Sequence, residues 1–431
     1  MGVLGTINLV ICILFSACYF FQILYMFIPF VKKLPPHKET VPHKYAVLIC
    51  ARNEENVIDA LIASIKQQDY PAELYDIFVA ADNCTDSTAE VARSAGAVVY
   101  ERENKVQRGK GYALDYLLKA IARDYGEDAY DAFVVFDADN ILMPNFLTEL
   151  NKTYSDGYEV ITTYRNARNY GDNWIAAGSG MWFIRESKYL NGSRMRIGAC
   201  PQVSGTGFMF SNNVKKENGG WPFHTLTEDY EFTCYSAARG KRFGYCEEAR
   251  FYDEQVTEFI PSMKQKMRWT KGGIQAFVKN FGALAKGIFS KDFIPCYDVM
   301  MSVAPAFLIS MAACIINIVG AIILLCTGNG VAQTLIPIGL TVLGAYLLLL
   351  SQSVLCTITE WRHLHASSFK KILYIFTFPF FLFTFIPCTF LALFKRVEWV
   401  HTPHSAVSEE QRQQINKDIA ELDSKSDAEV K

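Results

Sequence analysis

Three long stretches of this chain carry no charged residue, and they limit its fold more than any other feature. Residues 4–31 contain no Asp, Glu, Lys or Arg; neither do residues 299–359, nor the run between Lys371 and Lys395. About 20 apolar residues suffice to cross a bilayer as a helix, so the first and last runs predict one span each. The middle run is long enough for two spans, broken at the turn-like Cys326-Thr327-Gly328-Asn329-Gly330. A buried soluble helix would keep a polar face over consecutive turns, and none of the three runs does. A cleaved leader fits residues 1–31 poorly, because no positive region precedes the apolar part and Lys32-Lys33 come directly after it. Positive charge at that position predicts a cytoplasmic location for the chain from Lys32 onward, with the amino terminus outside.

Away from these runs the chain is balanced, with 42 Lys+Arg against 44 Asp+Glu, so no basic face is available for nucleic acid. None of the 12 cysteines forms a Cys-x-x-Cys pair. In a reducing cytosol they read as small core residues. Three Asn-x-Ser/Thr sequons, at Asn83, Asn151 and Asn191, are inert in that compartment.

Residues 32–44, with three prolines, read as a linker. Beyond it, short apolar runs alternate with helical patterns. Strands are predicted at 45–50, 75–81, 97–101 and 132–137, and helices at 54–68, 86–94 and from Gly109 to about Tyr125. This alternation predicts βαβ units and a parallel sheet with helices on both faces. Ligands of such sheets bind beyond the carboxyl ends of the strands. Further strands are expected near Val160, Val203 and Phe243, and helices near Ile175 and Tyr230. Residues 262–290 mix lysines and an arginine with aromatic and aliphatic residues, which fits a helix in the membrane interface. The tail beyond Ser405 is polar and reads as mobile.

Four constellations carry chemistry. The strand Val134-Val135-Phe136 ends in Asp137-Ala138-Asp139, and such paired carboxylates suit a Mg²⁺ or Mn²⁺ ion that also takes phosphate oxygens. A second strand ends at Asp82, whose carboxylate suits a base or ribose; Asp86 beyond it reads as a helix cap. Thr227-Glu228-Asp229 opens a helix and, taken alone, reads as an N-cap with acids in the first turn. In Gln265-Lys266-Met267-Arg268-Trp269, Gln265 and Arg268 share a helix face; Arg suits phosphate and Trp a sugar face.

Arg52-Asn53-Glu54-Glu55, Asp82, Asp137-Ala138-Asp139, Thr227-Glu228-Asp229 and Gln265-x-x-Arg268-Trp269, in this order, resemble the family 2 glycosyltransferases. That family includes cellulose, chitin, hyaluronan and poly-N-acetylglucosamine synthases. The resemblance spans about residues 45–270 and the flanking membrane helices. It implies an α/β fold, the GT-A nucleotide-sugar domain, joined to transmembrane helices. The implied organisation is a first span in 1–31, the linker in 32–44 and a cytosolic catalytic domain in 45–260. An interface helix in 261–298, about three helices in 299–394 and the tail in 395–431 complete it.

The resemblance also implies roles. Glu54 and Asp82 contact uridine, with Arg52 beside them. Asp137 lies near ribose and phosphates, Asp139 is the main metal ligand, and Lys110 lines the donor pocket. Thr227 and Glu228 flank Asp229, the general base. Arg268 holds the leaving diphosphate, Trp269 forms the acceptor floor, and Gln265 of the same signature is a further catalytic candidate. Ser204-Gly205-Thr206-Gly207 lies between donor and acceptor.

The expected reaction is inverting, metal-dependent transfer from a UDP-sugar, UDP-glucose or UDP-N-acetylglucosamine, with Mg²⁺ or Mn²⁺. The favoured acceptor is a growing polysaccharide, made processively and secreted; the alternative is one sugar placed on a lipid. A transporter would carry intramembrane charges, and the apolar runs carry none. An inactive polysaccharide-binding scaffold has no need of these carboxylates. Pro379 and Pro387 allow the last apolar run to re-enter rather than span, which would return the tail to the cytoplasm.

Overall fold

The computed structural model describes residues 2–397 and 404–429. Helices α1 (Val3–Tyr25) and α2 (Ile28–Val31) lead into an extended segment and strand β1 (Tyr45–Ala51). Then come α3 (Ile58–Lys66), β2 (Tyr75–Asp82), α4 (Thr88–Ser94), β3 (Val98–Arg102), α5 (Lys110–Tyr125), β4 (Ala132–Asp137), the short β5 (Ile141–Leu142) and α6 (Phe146–Ser155). Next in order are β6 (Val160–Ala167), α7 (Trp174–Ile184), continued through a π-helical stretch into α8 (Gly192–Ile197), β7 (Phe208–Ser211) and α9 (Asn212–Asn218). The last part holds α10 (Glu228–Ala237), β8 (Phe243–Asp253), α11 (Phe259–Ile288), α12 (Phe293–Cys326), α13 (Val331–Thr359), α14 (Ser368–Phe383), α15 (Phe385–Phe394) and α16 (Glu409–Glu429).

The strands form one sheet in the order β3-β2-β1-β4-β7-β6-β8-β5. The expectation of a parallel sheet from the first four strands holds for β3-β2-β1-β4; beyond them β7 pairs antiparallel with both β4 and β6, β6 and β8 are parallel, and β5 pairs antiparallel with β8. No strand forms at Val203: residues 201–207 are a loop, and the strand starts at Phe208. Two glycines of that loop, Gly205 (φ +82°) and Gly207 (φ +61°), adopt left-handed backbone that strand geometry does not allow.

Alternation along the strands supplies two cores. Ala46, Leu48 and Val135 face α5, α10 and α11, whereas Tyr45, Val47, Ile49 and Phe136 face α3 and α6. A third apolar cluster, with Tyr25, Tyr164, Tyr170, Met181, Cys356 and Phe378, joins the sheet unit to the ends of α1, α13 and α14.

Among the described residues, four stretches are long and apolar enough to cross a membrane: Val3–Tyr25, Leu308–Cys326, Val331–Thr359 and Ser368–Phe394. They are not alike. In their most apolar parts 11%, 6% and 6% of residues are buried within the protein for the first three, against 39% for the fourth. The fourth bends at Thr384, where Pro387 lacks the N–H that would bond back into the helix. Its two halves pack along α7 and α11, and Lys266 Nζ on α11 donates to Thr384 Oγ1 at 2.6 Å inside the bend.

The tail is not loose in its described part. Tyr252 donates to Asp418 of α16, and Ile415 packs on Met143 and Tyr252. At the other end of α14, Lys370 Nζ donates to Gly171 O at 2.6 Å. The stretch Ser368–Phe394 thus starts against the sheet unit, its second half packs on α11 and α12, and the described part of the tail docks on β5 and β8 through α16. The sequence could not disclose this, because the docking surface on β5 and β8 is assembled from distant strands.

Candidate active site

The loops at the carboxyl ends of β1, β2 and β4, the start of α10 and the first half of α11 enclose one cavity of about 580 Å³. Every candidate residue of the sequence motifs lines it: Arg52, Glu54, Asp82, Lys110, Asp137, Asp139, Thr227, Glu228, Asp229, Gln265, Arg268 and Trp269.

At the sheet end, β1 runs into a loop turned by Asn53, at φ +56°, which aims Glu54 inward. Asp86 accepts from the Glu55 and Thr88 amides and so holds this loop and the start of α4 together, as a cap would. Asp82, at the end of β2, is buried and accepts from Arg102 Nη1 at 2.6 Å, a pairing that the sequence does not disclose. Lys110 Nζ donates to Asp137 Oδ1 at 2.5 Å and to Gly205 O at 2.8 Å. Burial opposes ionisation of Asp137, but Lys110 outweighs it and holds the carboxyl below the usual range. Asp137 N donates to Thr206 Oγ1 at 2.9 Å, which ties the glycine-rich loop to the carboxylate pair.

The α10 end is different. Thr227 occupies the cap position, yet its hydroxyl makes no cap bond and is buried without a partner. The simple capping alternative is therefore not realised. Burial, then repulsion from Asp229, pushes Glu228 up to about 7, and burial likewise raises Asp229. A carboxylate with raised affinity for protons is suited to general-base work. An added Cβ on Gly205 would lie 3.7 Å from Asp229 Oδ2, so the glycine loop runs past this carboxylate. Helix α11 reaches the pair because Gly272 has no side chain; a Cβ there would come within 2.6 Å of Thr227 Oγ1. That approach brings Arg268 to the cavity, where Nη1 donates to Leu226 O at 3.2 Å. Trp269 meets Phe183 edge-on, with ring centroids 5.8 Å apart.

Sequence reasoning missed three members. His404, from the tail, lies 3.0 Å from Glu54 Oε2 and 3.9 Å from Asp139 Oδ2. Burial lowers its proton affinity, but Asp139 and Glu54 prevail and push it up to about 10. Nothing local in the tail marks it. Arg165 donates to Asp253 through Nε at 2.7 Å and to Ser204 O at 2.9 Å. Asp253 ends β8, so the strand-end rule would have found it had that strand been followed to its end.

Among the described residues no three His, Cys, Asp or Glu side chains converge as a complete metal site. Asp139 and Asp137 could still hold a divalent ion whose remaining positions are filled by diphosphate oxygens and water, the usual manner for Mg²⁺. Asp253 pairs with Arg165 through Oδ2, and its buried Oδ1 has no hydrogen-bond partner in the same cavity, which leaves one oxygen able to face a cation. The donor set fits the ion.

Residues 42–272 match the model of the glycosyltransferase-like family 2. Relatives include a β-monoglucosyldiacylglycerol synthase of Synechocystis, 24% identical over 236 residues, covering 54% of this chain and 48% of the relative. A poly-β-1,6-N-acetyl-D-glucosamine synthase of Staphylococcus aureus is 25% identical over 271 residues, 59% of each chain. This chain thus spans about half the length of the curated relatives it matches. Among solved structures, the mannosyltransferase PcManGT of Pyrobaculum calidifontis, in complex with GDP-Man and Mn²⁺, superposes with a TM-score of 0.53. It is 16% identical and covers 91% of this chain and 99% of its own. Its likeness extends the shared fold past the sheet unit into the helical region. The match over more than half of the chain, on a site with this geometry, means that the protein belongs to the glycosyltransferase-like family 2.

Proposed function

We propose that the protein transfers a hexose or N-acetylhexosamine from a UDP-sugar to an acceptor hydroxyl at a membrane, inverting the anomeric centre to give a β-linkage. The observation that carries this reading is the meeting, in one cavity, of the Asp137/Asp139 pair with Glu228, Asp229 and Arg268. Glu54 and Asp82 hold the uridine end, and Lys110 orients Asp137 toward the diphosphate. A bound Mg²⁺ or Mn²⁺ would supply charge neutralisation on the diphosphate oxygens. Arg268 stabilises the departing diphosphate through a charge-assisted hydrogen bond. Asp229 takes the proton of the attacking hydroxyl, Glu228 keeps its proton affinity high, and Trp269 floors the acceptor.

The relatives divide between a lipid product and a polysaccharide product, so membership alone does not choose the acceptor. Polymer synthesis with secretion and single transfer to a lipid both begin with this step. We assign the sheet unit to the cytoplasmic side, on the strength of Lys32-Lys33 after the first span.

The test is Asp229→Asn. Transfer should fall by about 10²- to 10⁴-fold, the usual share of a general base, while titration with UDP-sugar and Mn²⁺ gives an unchanged Kd. Normal turnover in this variant would remove Asp229 as the base.

A further inference from the structure

The cavity does not end at Trp269. Beyond it the wall is formed by Phe15 and Tyr19 of α1, Ala306 of α12, and Leu348, Leu349 and Gln352 of α13. Phe15 lies ten residues before the end of α1 and Leu348 eleven before the end of α13, so the cavity runs about 15 Å up these helices at 1.5 Å per residue. That is roughly half of a 30 Å hydrocarbon layer. The depth matches one leaflet.

The charges at this end cancel locally. Arg185 Nη1 pairs with Glu186 at 2.7 Å, and its Nε donates to Gln352 Oε1 at 2.6 Å. Arg194 Nε pairs with Asp298 at 2.7 Å, both fully buried. Two arginines thus meet two carboxylates. The remaining polar groups are uncharged, among them Ser302 and Gln352. The Tyr19 hydroxyl is buried on this wall without a hydrogen bond of ordinary geometry, the backbone of Ala306 lying near it. A buried hydroxyl of that kind calls for a ligand acceptor.

We propose that this end of the cavity is the binding site of a lipid alcohol with an uncharged head. The proposal rests on the glycosyl-transfer reading and names its acceptor. Acyl chains lie against Phe15, Leu348 and Leu349, Tyr19 donates to an ester or hydroxyl oxygen, and the free hydroxyl reaches Asp229. The acceptor oxygen forms a bond to the anomeric carbon as the bond from that carbon to the diphosphate breaks. UDP departs with the electron pair, and the hydroxyl proton passes to Asp229. A lipid phosphate would bring unmatched negative charge among pairs already neutral, at heavy desolvation cost. A growing polysaccharide would leave its hydroxyls unpaired against an apolar wall.

The test uses the full chain in phosphatidylcholine liposomes with Mn²⁺ and radiolabelled UDP-glucose or UDP-N-acetylglucosamine. Dioleoylglycerol, undecaprenyl phosphate and a β-linked oligosaccharide primer are supplied in turn, and lipid-soluble product is measured per UDP released. Label should enter dioleoylglycerol. Ala306→Trp should lower the ratio of product to UDP at least tenfold, and the milder Tyr19→Phe several-fold. Ile315→Trp, an exposed α12 position outside the cavity, should leave that ratio as it is. Labelling of undecaprenyl phosphate or the primer with dioleoylglycerol inert would overturn the proposal, as would an unchanged ratio in folded Ala306→Trp and Tyr19→Phe. UDP release without lipid product would overturn this acceptor site alone. Absence of UDP release from either donor would overturn the transfer reading beneath it.

Discussion

The two ends of the cavity are built on opposite principles. At the sheet end, carboxylates that follow β1, β2, β4 and β8 crowd together with basic partners in an ionic lining, and Asp253 Oδ1 accepts no hydrogen bond. At the helix end every arginine of the wall meets a carboxylate, and the lining is mostly apolar. A lining of paired ionic side chains suits a charged ligand whose phosphates and ion can exchange with those partners, in keeping with the proposed donor. Cancelled charge in an apolar wall is prepared for a ligand that brings none. Between them, Asp229 and Arg268 stand where both ligands would meet.

That contrast can be tested from either side. The largest effect is expected at the sheet end: Asp139→Asn should cut total turnover by about 10²- to 10³-fold, a loss typical for removing one electrostatic stabiliser. It should also weaken UDP binding in the presence of Mn²⁺, measured by calorimetry, while leaving the partition between lipid product and free sugar alone. Full UDP affinity in that variant would move the metal site elsewhere.

A smaller loss should come from the seam. Gly272→Val places a side chain against Thr227 and pushes α11 away from Glu228 and Asp229. Overpacking of this kind costs about 1–3 kcal/mol of stability, and a shift near 1 Å can cost about 10²-fold in rate. Wild-type kcat with unchanged melting temperature would show that the close approach is unimportant.

The smallest effect concerns pH. Because Glu228 is pushed up to about 7 and Asp229 is raised with it, kcat/KM should climb with pH along an acid limb ending near neutrality. The sign for stability is opposite. A carboxyl whose folded proton affinity exceeds its unfolded one weakens the fold as pH rises from its unfolded value through 7. Glu228→Gln should therefore move the acid limb downward and raise the melting temperature at pH 8 relative to pH 5. A flat profile from pH 5 to 8 would separate the pair from proton transfer.

Much of the sheet end was legible in the sequence because its determinants are local. Apolar strands that end in Asp82 and Asp137 place those carboxylates at the ligand edge whatever the rest of the chain does. The uncharged runs mark helices for a similar reason, since composition over about 20 residues decides their solvent. Gln265, Arg268 and Trp269 are placed by the 3.6-residue repeat once α11 exists.

Contacts between distant segments were not legible. The pairings of Asp82 with Arg102 and Lys110 with Asp137 need the β2–β3 register and the start of α5 brought together. The turn from parallel to antiparallel at β7 depends on which edge of β4 was free. His404 reaches Glu54 where α16 docks on β5 and β8, and Lys266 of α11 meets Thr384 only in the packed bend of α14–α15. Local patterning alone determined the elements and the carboxylates at their ends. Which of those groups face one another across the cavity, and which charges pair, was decided by packing between segments up to hundreds of residues apart, a choice that sequence periodicity does not encode.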